Sequence, residues 1–192
     1  MAAKDAYLTR AVITERFNLV NCSQIDALKV TMPWRDNPDI LHNLMYAKTA
    51  YSSFAWARHI GRMDGRTRFV HAIVAREIRG TIGAHRIVID DSGTASMSIV
   101  VHTKAWRGQG VFAEARAGLL DHFSQSPRVT RFFGRVLARN VSSIYNYTKL
   151  GFRVIGHDTK SWKSPLTGEH HDTVHFEYLA EDWRKKRGLT SQ

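Results

Sequence analysis

Cysteine, long apolar runs and internal repeats are scarce or missing in this sequence. A single cysteine, Cys22, among 192 residues excludes an internal disulfide and a zinc site built from thiolates. No apolar run approaches the roughly 18 residues of a membrane-spanning helix, and the first residues lack the apolar core of a signal peptide. We therefore expect a cytoplasmic protein that makes no membrane contact. Without repeats or linkers, residues 1–192 are predicted to form one domain, with a short basic tail at about 184–192.

Acidic residues are also few. The chain has 17 Asp+Glu against 28 Lys+Arg, which gives a formal net charge of +11. Such a surface attracts polyanions, for example nucleic acid, a ribosome or a phosphate-rich cofactor, although a solvated basic face is an equally good interpretation. The basic residues concentrate in two stretches: Arg58, Arg62, Arg66, Arg68, Arg76, Arg79 and Arg86, then Arg128, Arg131, Arg135, Arg139, Lys149 and Arg153.

The spacing of apolar residues predicts an α+β (or α/β) domain with a central sheet. Strands are expected at Arg16–Val20 (an edge strand), Arg68–Arg76, Thr81–Ile89, Ala95–His102, Arg131–Leu137, Phe152–His157 and Thr173–Leu179. Helices are expected after a cap at Ser23, at Met45–Arg62, from Gly110 to Phe123, and at Val141–Leu150.

A glycine-containing turn joins a predicted strand to a predicted helix at Arg107, Gly108 and Gly110. Glycine lets backbone N–H groups close on an anion, and a helix N-terminus adds unpaired N–H donors. A pyrophosphate would suit this turn. The residues match neither the P-loop nor the dinucleotide fingerprint, so a simple tight connection remains the competing interpretation.

A second stretch makes the pattern specific. Asn140-Val-Ser-Ser-Ile-Tyr-Asn-Tyr-Thr-Lys-Leu-Gly-Phe152 follows about thirty residues after Arg107-Gly-Gln-Gly110. Together these motifs resemble the acetyl-CoA site of the GNAT superfamily of N-acetyltransferases. The segment Arg79–Gly83 resembles the family's common turn into its third strand. Gly168–Asp172, followed by residues 174–179 and Asp182-Trp183, resembles the tail of the branch that acetylates ribosomal-protein N-termini. The resemblance spans about residues 17–183, and it implies a GNAT-type fold with a central mixed, mostly antiparallel sheet of about six to seven strands flanked by helices.

The resemblance also implies the site. Acetyl-CoA would be the co-substrate, and Tyr147 would protonate the departing thiolate, since the pKa of tyrosine lies close to that of a thiol. A core tyrosine on an apolar helix face is the competing interpretation. The implied cofactor-binding residues are Ile99, Val100 and Val101 beside the pantetheine arm, Arg107, Gly108, Gln109, Gly110, Val111 and Phe112 around the pyrophosphate, and Asn140 and Ser143 at the next helix.

Two positions depart from the family pattern. Phe112 stands where a small residue is usual, and Arg135 stands where members that acetylate protein N-termini can carry a glutamate base. Without that base we expect direct attack of a neutral amine, with the backbone of a bulged strand at 99–101 polarising the thioester oxygen. His102 is the first candidate to accept the amine proton, followed by His71 and His85, although each also fits an ordinary strand residue.

The predicted reaction moves an acetyl group to a primary amine on a small molecule or on a macromolecule. Two alternatives stay open: an amine linked to nucleic acid or a ribonucleoprotein, and a non-catalytic module of the CoA-binding fold that binds a polyanion. No metal site is expected, because His171 and His175 lie four apart on a predicted strand, about 13 Å along its axis. The acceptor pocket is expected to form from residues 32–63 and 160–171.

Overall fold

The computed structural model of the protein describes residues 7–191. The first residues, on which the cytoplasmic expectation partly rests, lie outside that range. Within it, eight strands form a single sheet. They are β1 (Val12–Ile13), β2 (Phe17–Asn21), β3 (Arg68–Ala75), β4 (Gly80–Ile89), β5 (Thr94–Val101), β6 (Arg131–Leu137), β7 (Arg153–Lys163) and β8 (His170–Leu179).

Six α-helices connect or follow these strands. Asn140 accepts a hydrogen bond from the Ser143 N–H at the start of one of them, and Gly151 ends that helix in the left-handed conformation. The helices are α1 (Gln24–Arg35), α2 (Pro38–Asn43), α3 (Ser53–Ile60), α4 (Val111–Ser124), α5 (Val141–Leu150) and α6 (Ala180–Arg187).

The sheet opens between β5 and β6, its fifth and sixth strands in order. Its order is β1-β2-β3-β4-β5-β6-β8-β7, and every neighbouring pair is antiparallel except β5 and β6. This parallel pair is matched only over Thr94–Ser96 and Arg131–Phe133. Beyond Ser96 the two strands separate, which leaves a gap in the middle of the sheet whose backbone groups face a cleft.

Two apolar cores lie on opposite faces of the sheet. One packs α4, α5 and α6 against the sheet through residues such as Leu119, Phe132 and Phe176. The other packs α1 and α3 against the opposite face through Trp34, Trp56 and Val70. Cys22, expected to behave as a small buried apolar residue, belongs to this second core, and burial raises the pKa of its thiol to about 11.

The predicted fold class and the GNAT-type architecture are confirmed, and the sheet has eight strands rather than six or seven. The added strand is the two-residue β1, so Arg16–Val20, predicted as an edge strand, corresponds to the second strand. The predicted helix Met45–Arg62 is helical only over α3, because Met45 takes a left-handed φ of 55° and Ser52 caps the later helix. Much of the predicted basic tail belongs to α6, whose Trp183 is buried against α4.

None of the described helices is long and apolar enough to cross a membrane.

Candidate active site

A cleft of about 600 Å³ lies against the end of β5, on the side where β5 separates from β6. The end of β5 forms one wall, the turn before α4 and the first residues of that helix form the second, and the start of α5 forms the third. Residues 37–44, around α2, close the cleft from the opposite side. The cleft therefore joins the two stretches that the sequence singled out.

The turn before α4 presents an N-terminus that no side chain caps. A short 3₁₀ turn at Lys104–Trp106 leads into Gly108 and Gly110, each with a φ of 76°, a conformation that L side chains rarely adopt. The first four N–H groups of a helix have no partner within it, and they carry the positive end of its dipole. This end of α4 faces the cleft and fits the diphosphate expected from the sequence.

The residues assigned to the diphosphate do not all line the cleft. Gly108, Gly110, Val111 and Phe112 line the cleft together with Arg107. The Arg107 Nε donates to the Val101 carbonyl at 3.1 Å, which fixes the guanidinium against the end of β5. Gln109 does not line the cleft, because its side chain turns back and donates to the Ala105 carbonyl at 2.7 Å.

Residues 99–101 all line the cleft, and their backbone lies at the open edge of β5. The expected bulge is not found in β5, whose pairing with β4 runs from Ala95 to Val101 without a shift. The irregularity lies one strand away, where the β3–β4 register shifts at Ile73/Val74.

Asn140 and Ser143 reach the cleft from the start of α5, as expected. The Asn140 Oδ1 is occupied as a helix cap, accepting from the Ser143 N–H at 3.1 Å. Ser143 also lines a smaller inner cavity of about 50 Å³ that adjoins the cleft. Asn43, Leu44, Ile99, Phe112 and Ser143 line both spaces, so Phe112, the unusual large residue, lies where the cleft meets the inner cavity.

Tyr147 lines the inner cavity and is only 2% exposed. Its ring stacks on Phe176 at 4.8 Å and meets Phe152 edge-on at 5.0 Å. A Cβ on Gly134 would overlap the Tyr147 ring and hydroxyl, so this glycine leaves the space that the tyrosine fills. These contacts fix the Tyr147 side chain beside the inner cavity, where β5 and β6 have separated.

The three histidines considered as bases lie elsewhere. His102 lines neither the cleft nor the inner cavity, and burial followed by the charge of Arg107 lowers its pKa. His71 and His85 are fully buried neighbours on β3 and β4. Burial lowers the pKa of His71 to about 3 and lowers that of His85 as well, so both stay neutral inside the core.

Two charged residues near the site were missed by sequence reasoning. Asp39, exposed in the first turn of α2, lines the cleft whose other charged lining residues are Arg107 and Lys149. Arg116 of α4 lines the inner cavity beside Tyr147. A signal for Arg116 existed, since an arginine four residues after Phe112 interrupts the apolar face of a helix.

The wall that carries Asp39 is fixed by His42, a buried residue of α2. Its Nδ1 shares a hydrogen bond of 2.8 Å with the Ser164 Oγ in the turn between β7 and β8, and its Nε2 contacts Arg139. Burial, with Arg139 and His171 nearby, lowers the pKa of His42. This contact joins α2 to the β7–β8 turn, the two regions expected to form the acceptor pocket.

The members of the two arginine-rich stretches differ in position and in ion pairing. In the first, Arg68 begins β3 while Arg76 and Arg79 lie beyond its other end, about 24 Å away. In the second, Glu177 pairs with both Arg131 and Arg153. Within residues 7–191, no three His, Cys, Asp or Glu side chains come together as a metal site.

Comparison with known proteins places this geometry in a family. The model of the acetyltransferase (GNAT) domain matches residues 16–153, which include the turn before α4 and the whole Asn140–Phe152 motif. No curated protein matches the chain by sequence.

Several solved structures share the whole fold at low identity. Spermidine N-acetyltransferase from Vibrio cholerae, in complex with CoA and spermine, aligns with a TM-score of 0.74 and 16% identity over 88% of this chain and 98% of that one. Ribosomal-protein-S5-alanine acetyltransferase from Vibrio fischeri aligns with a TM-score of 0.71 and 15% identity over 91% and 98%. An acetyltransferase from Salmonella typhimurium that modifies the N-terminal serine of ribosomal protein L7/L12 gives 0.72 and 13% over 88% and 99%.

Proposed function

We propose, from the premise that this chain belongs to the GNAT family of acetyltransferases, that it moves an acetyl group from acetyl-CoA to a primary amine. The observation that carries the proposal is the pair of adjoining cavities, which places an uncapped helix N-terminus and an open strand edge around the cleft and a tyrosine in the inner cavity beside it. The structural neighbours solved with CoA support this assignment of the donor.

The donor would lie along the cleft from the α4 turn to the inner cavity. The N–H groups of Gly108–Phe112 would hold the diphosphate, with Arg107 and Lys149 nearby to balance its charge. The open edge of Ile99–Val101 would pair with the amide groups of the pantetheine arm as a neighbouring strand would. Acetyl-CoA then supplies the thioester at the junction between the cleft and the inner cavity.

Tyr147 would act as the general acid. The amine nitrogen forms a bond to the acetyl carbon, the carbon–sulfur bond breaks, and the departing thiolate takes the Tyr147 proton. A free backbone N–H at the edge of β5 would polarise the carbonyl oxygen. Since His102 lies outside both cavities, the proposal assigns the amine proton to water rather than to this histidine.

Asp39 would draw the amine into the cleft. Arg107 and Lys149 are the positively charged lining residues and Asp39 the negative one, so the cleft has a side for an anion and a side for a cation. A cationic amine, such as a polyamine or a protein N-terminus, fits this second side. The matches to a spermidine acetyltransferase and to ribosomal-protein acetyltransferases agree with an acceptor of that charge.

The test of the proposal is thiol release from acetyl-CoA with a panel of amines that includes spermidine and peptide N-termini. Tyr147→Phe should lower kcat by about 100-fold, because positioned acid catalysis contributes a factor of that order. Tyr178→Phe removes a hydroxyl from a tyrosine that lines neither cavity and serves as the control. Absence of turnover with every amine would instead favour a non-catalytic module. If Tyr147→Phe keeps the kcat of the wild type, Tyr147 is not the general acid.

A further inference from the structure

We propose that the inner cavity binds a carboxylate at the far end of the acyl group, so that the enzyme accepts a short dicarboxylic donor such as malonyl-CoA or succinyl-CoA. The inference rests on the proposed function, since it names the class of acyl donor that the same site takes. The transfer is chemically unchanged: the amide bond forms, the thioester bond breaks, and the terminal carboxylate remains as it was.

The inner cavity continues the path that the donor follows. It shares Ile99, Phe112 and Ser143 with the cleft, and it lies beyond them against Tyr147. Arg116 follows Phe112 by four residues on α4, so the two side chains lie on one helix face about one turn, or roughly 5.4 Å, apart.

Arg116 is buried and has no negative partner. It is 3% exposed, and its Nε makes no hydrogen bond. No ion pair involves it within residues 7–191. Its contact is with the face of the Tyr147 ring, 4.3 Å from the guanidinium carbon. The carboxylate of α4 nearest in sequence, Glu114, is used elsewhere, since it pairs with Arg16 at 2.7 Å.

A second arginine lines the same cavity. Arg135 of β6 donates to the hydroxyls of Thr173 and Ser161, at 3.3 and 3.5 Å, and no described carboxylate pairs with it. No Asp or Glu lines the inner cavity. Two arginines therefore border a space that contains no compensating negative charge of the protein's own.

Such an arrangement favours a permanent anion over a neutral acyl group. A guanidinium stays protonated when buried, and burying it without a partner is costly. The interaction with an aromatic face recovers only part of that cost. A carboxylate would accept the paired N–H groups of a guanidinium in its preferred planar geometry, whereas the methyl group of acetyl leaves buried Arg116 without a charged partner. The thiolate formed during the reaction is short-lived, because Tyr147 would protonate it.

The experiment compares donors on one amine. Initial rates are measured with acetyl-, butyryl-, malonyl- and succinyl-CoA, butyryl-CoA being a neutral donor of similar length to malonyl-CoA. At least one carboxylated donor should exceed butyryl-CoA in kcat/KM by tenfold or more. Arg116→Gln should lower the ratio of carboxylated to acetyl kcat/KM by about 100-fold, the effect expected for loss of a buried charged partner. Arg187→Gln, a charge loss on α6 outside both cavities, should leave that ratio as it is.

Binding and folding are measured in parallel. Calorimetric dissociation constants for malonyl-CoA and butyryl-CoA give a readout independent of turnover, and thermal unfolding checks that Arg116→Gln and Arg116→Lys are folded. Arg116→Lys keeps the charge and should retain part of the preference.

Three results would decide the matter. Carboxylated donors that neither react nor bind better than butyryl-CoA would overturn this inference while leaving acetyl transfer intact. An Arg116→Gln variant that lost all donors equally would assign the residue to the reaction itself and would also overturn it. If no donor reacts but malonyl-CoA binds more tightly than butyryl-CoA in an Arg116-dependent way, the cavity assignment stands and the proposed function fails.

Discussion

Tyr147 shows what a single residue can and cannot reveal in sequence. Its apolar surroundings alone favour a core residue, whereas its place in the Asn140–Phe152 motif favours a catalytic acid. In the structure the side chain packs on Phe176 and also lines the inner cavity, and its role as the acid stays a prediction. Asp39 and Arg116 were missed because their significance depends on which elements face the cleft, and a local pattern carries no such information.

Asp39 gives the first prediction at this scale. Asp39→Asn should raise KM for a cationic amine by about three- to tenfold and leave kcat within about twofold, since an exposed carboxylate attracts a cation only modestly. The effect should shrink at high salt because exposed charges are screened. Steady-state kinetics with spermidine at two ionic strengths measure it.

The matched control is Asp36→Asn, which removes an exposed carboxylate three residues earlier that pairs with Arg35 and does not line the cleft. Equal changes in KM for the two variants would argue against a role for Asp39 in drawing the amine.

The elements differ in how well the sequence predicted them. The strand Arg131–Leu137 and the helix Val141–Leu150 agree with prediction to the residue, because the short apolar run of the strand, the Asn140 cap and the Gly151 terminator act locally. The edge strand β7 extends to Lys163, well past the predicted His157, since its length follows from pairing with β8. Residues 32–63 were predicted least well, because α2 depends on long-range contacts such as that of His42 with Ser164.

The turn before α4 supports a prediction with a close internal control. Gly108 and Gly168 have φ values of 76° and 74°, and a Cβ at either would meet nothing within 4 Å. Leucine at either position should therefore lower stability by a similar amount, about 1–2 kcal/mol. Only Gly108→Leu should weaken CoA binding, by tenfold or more in calorimetry, because Gly108 alone of the two lines the cleft. If the two variants bind CoA with equal affinity, the turn before α4 does not bind the diphosphate.

At the scale of the whole molecule, the buried histidines make stability depend on pH. The pKa of His71 is about 3 in the folded protein, lowered by burial and then by His122, against about 6.5 in an unfolded chain. Below pH 6.5 the unfolded chain takes up the proton first, so stability is full above that pH and falls as the pH drops towards 3. At pH 5 His71 should cost about 2 kcal/mol, and His85, whose pKa burial lowers too, adds to the loss.

Urea unfolding at pH 7 and pH 5 measures this loss. His71→Leu should reduce the difference between the two pH values, whereas His170→Leu, at an exposed position, should keep it. An undiminished difference in His71→Leu would mean that other groups control the acid sensitivity.

The net charge of +11 belongs to this scale as well. Its arginines are divided between opposite ends of the β3–β4 hairpin and partly neutralised by Glu177, while Arg107 and Lys149 face the cleft. The composition left a nucleic-acid partner open, and that alternative stays a prediction.

A crystal structure of the protein with CoA tests the central proposal most directly. We expect the diphosphate on the backbone N–H groups of Gly108–Phe112, the pantetheine arm beside Ile99–Val101, and the sulfur within hydrogen-bonding reach of the Tyr147 hydroxyl. CoA bound away from the α4 turn, or a sulfur remote from Tyr147, would contradict the account.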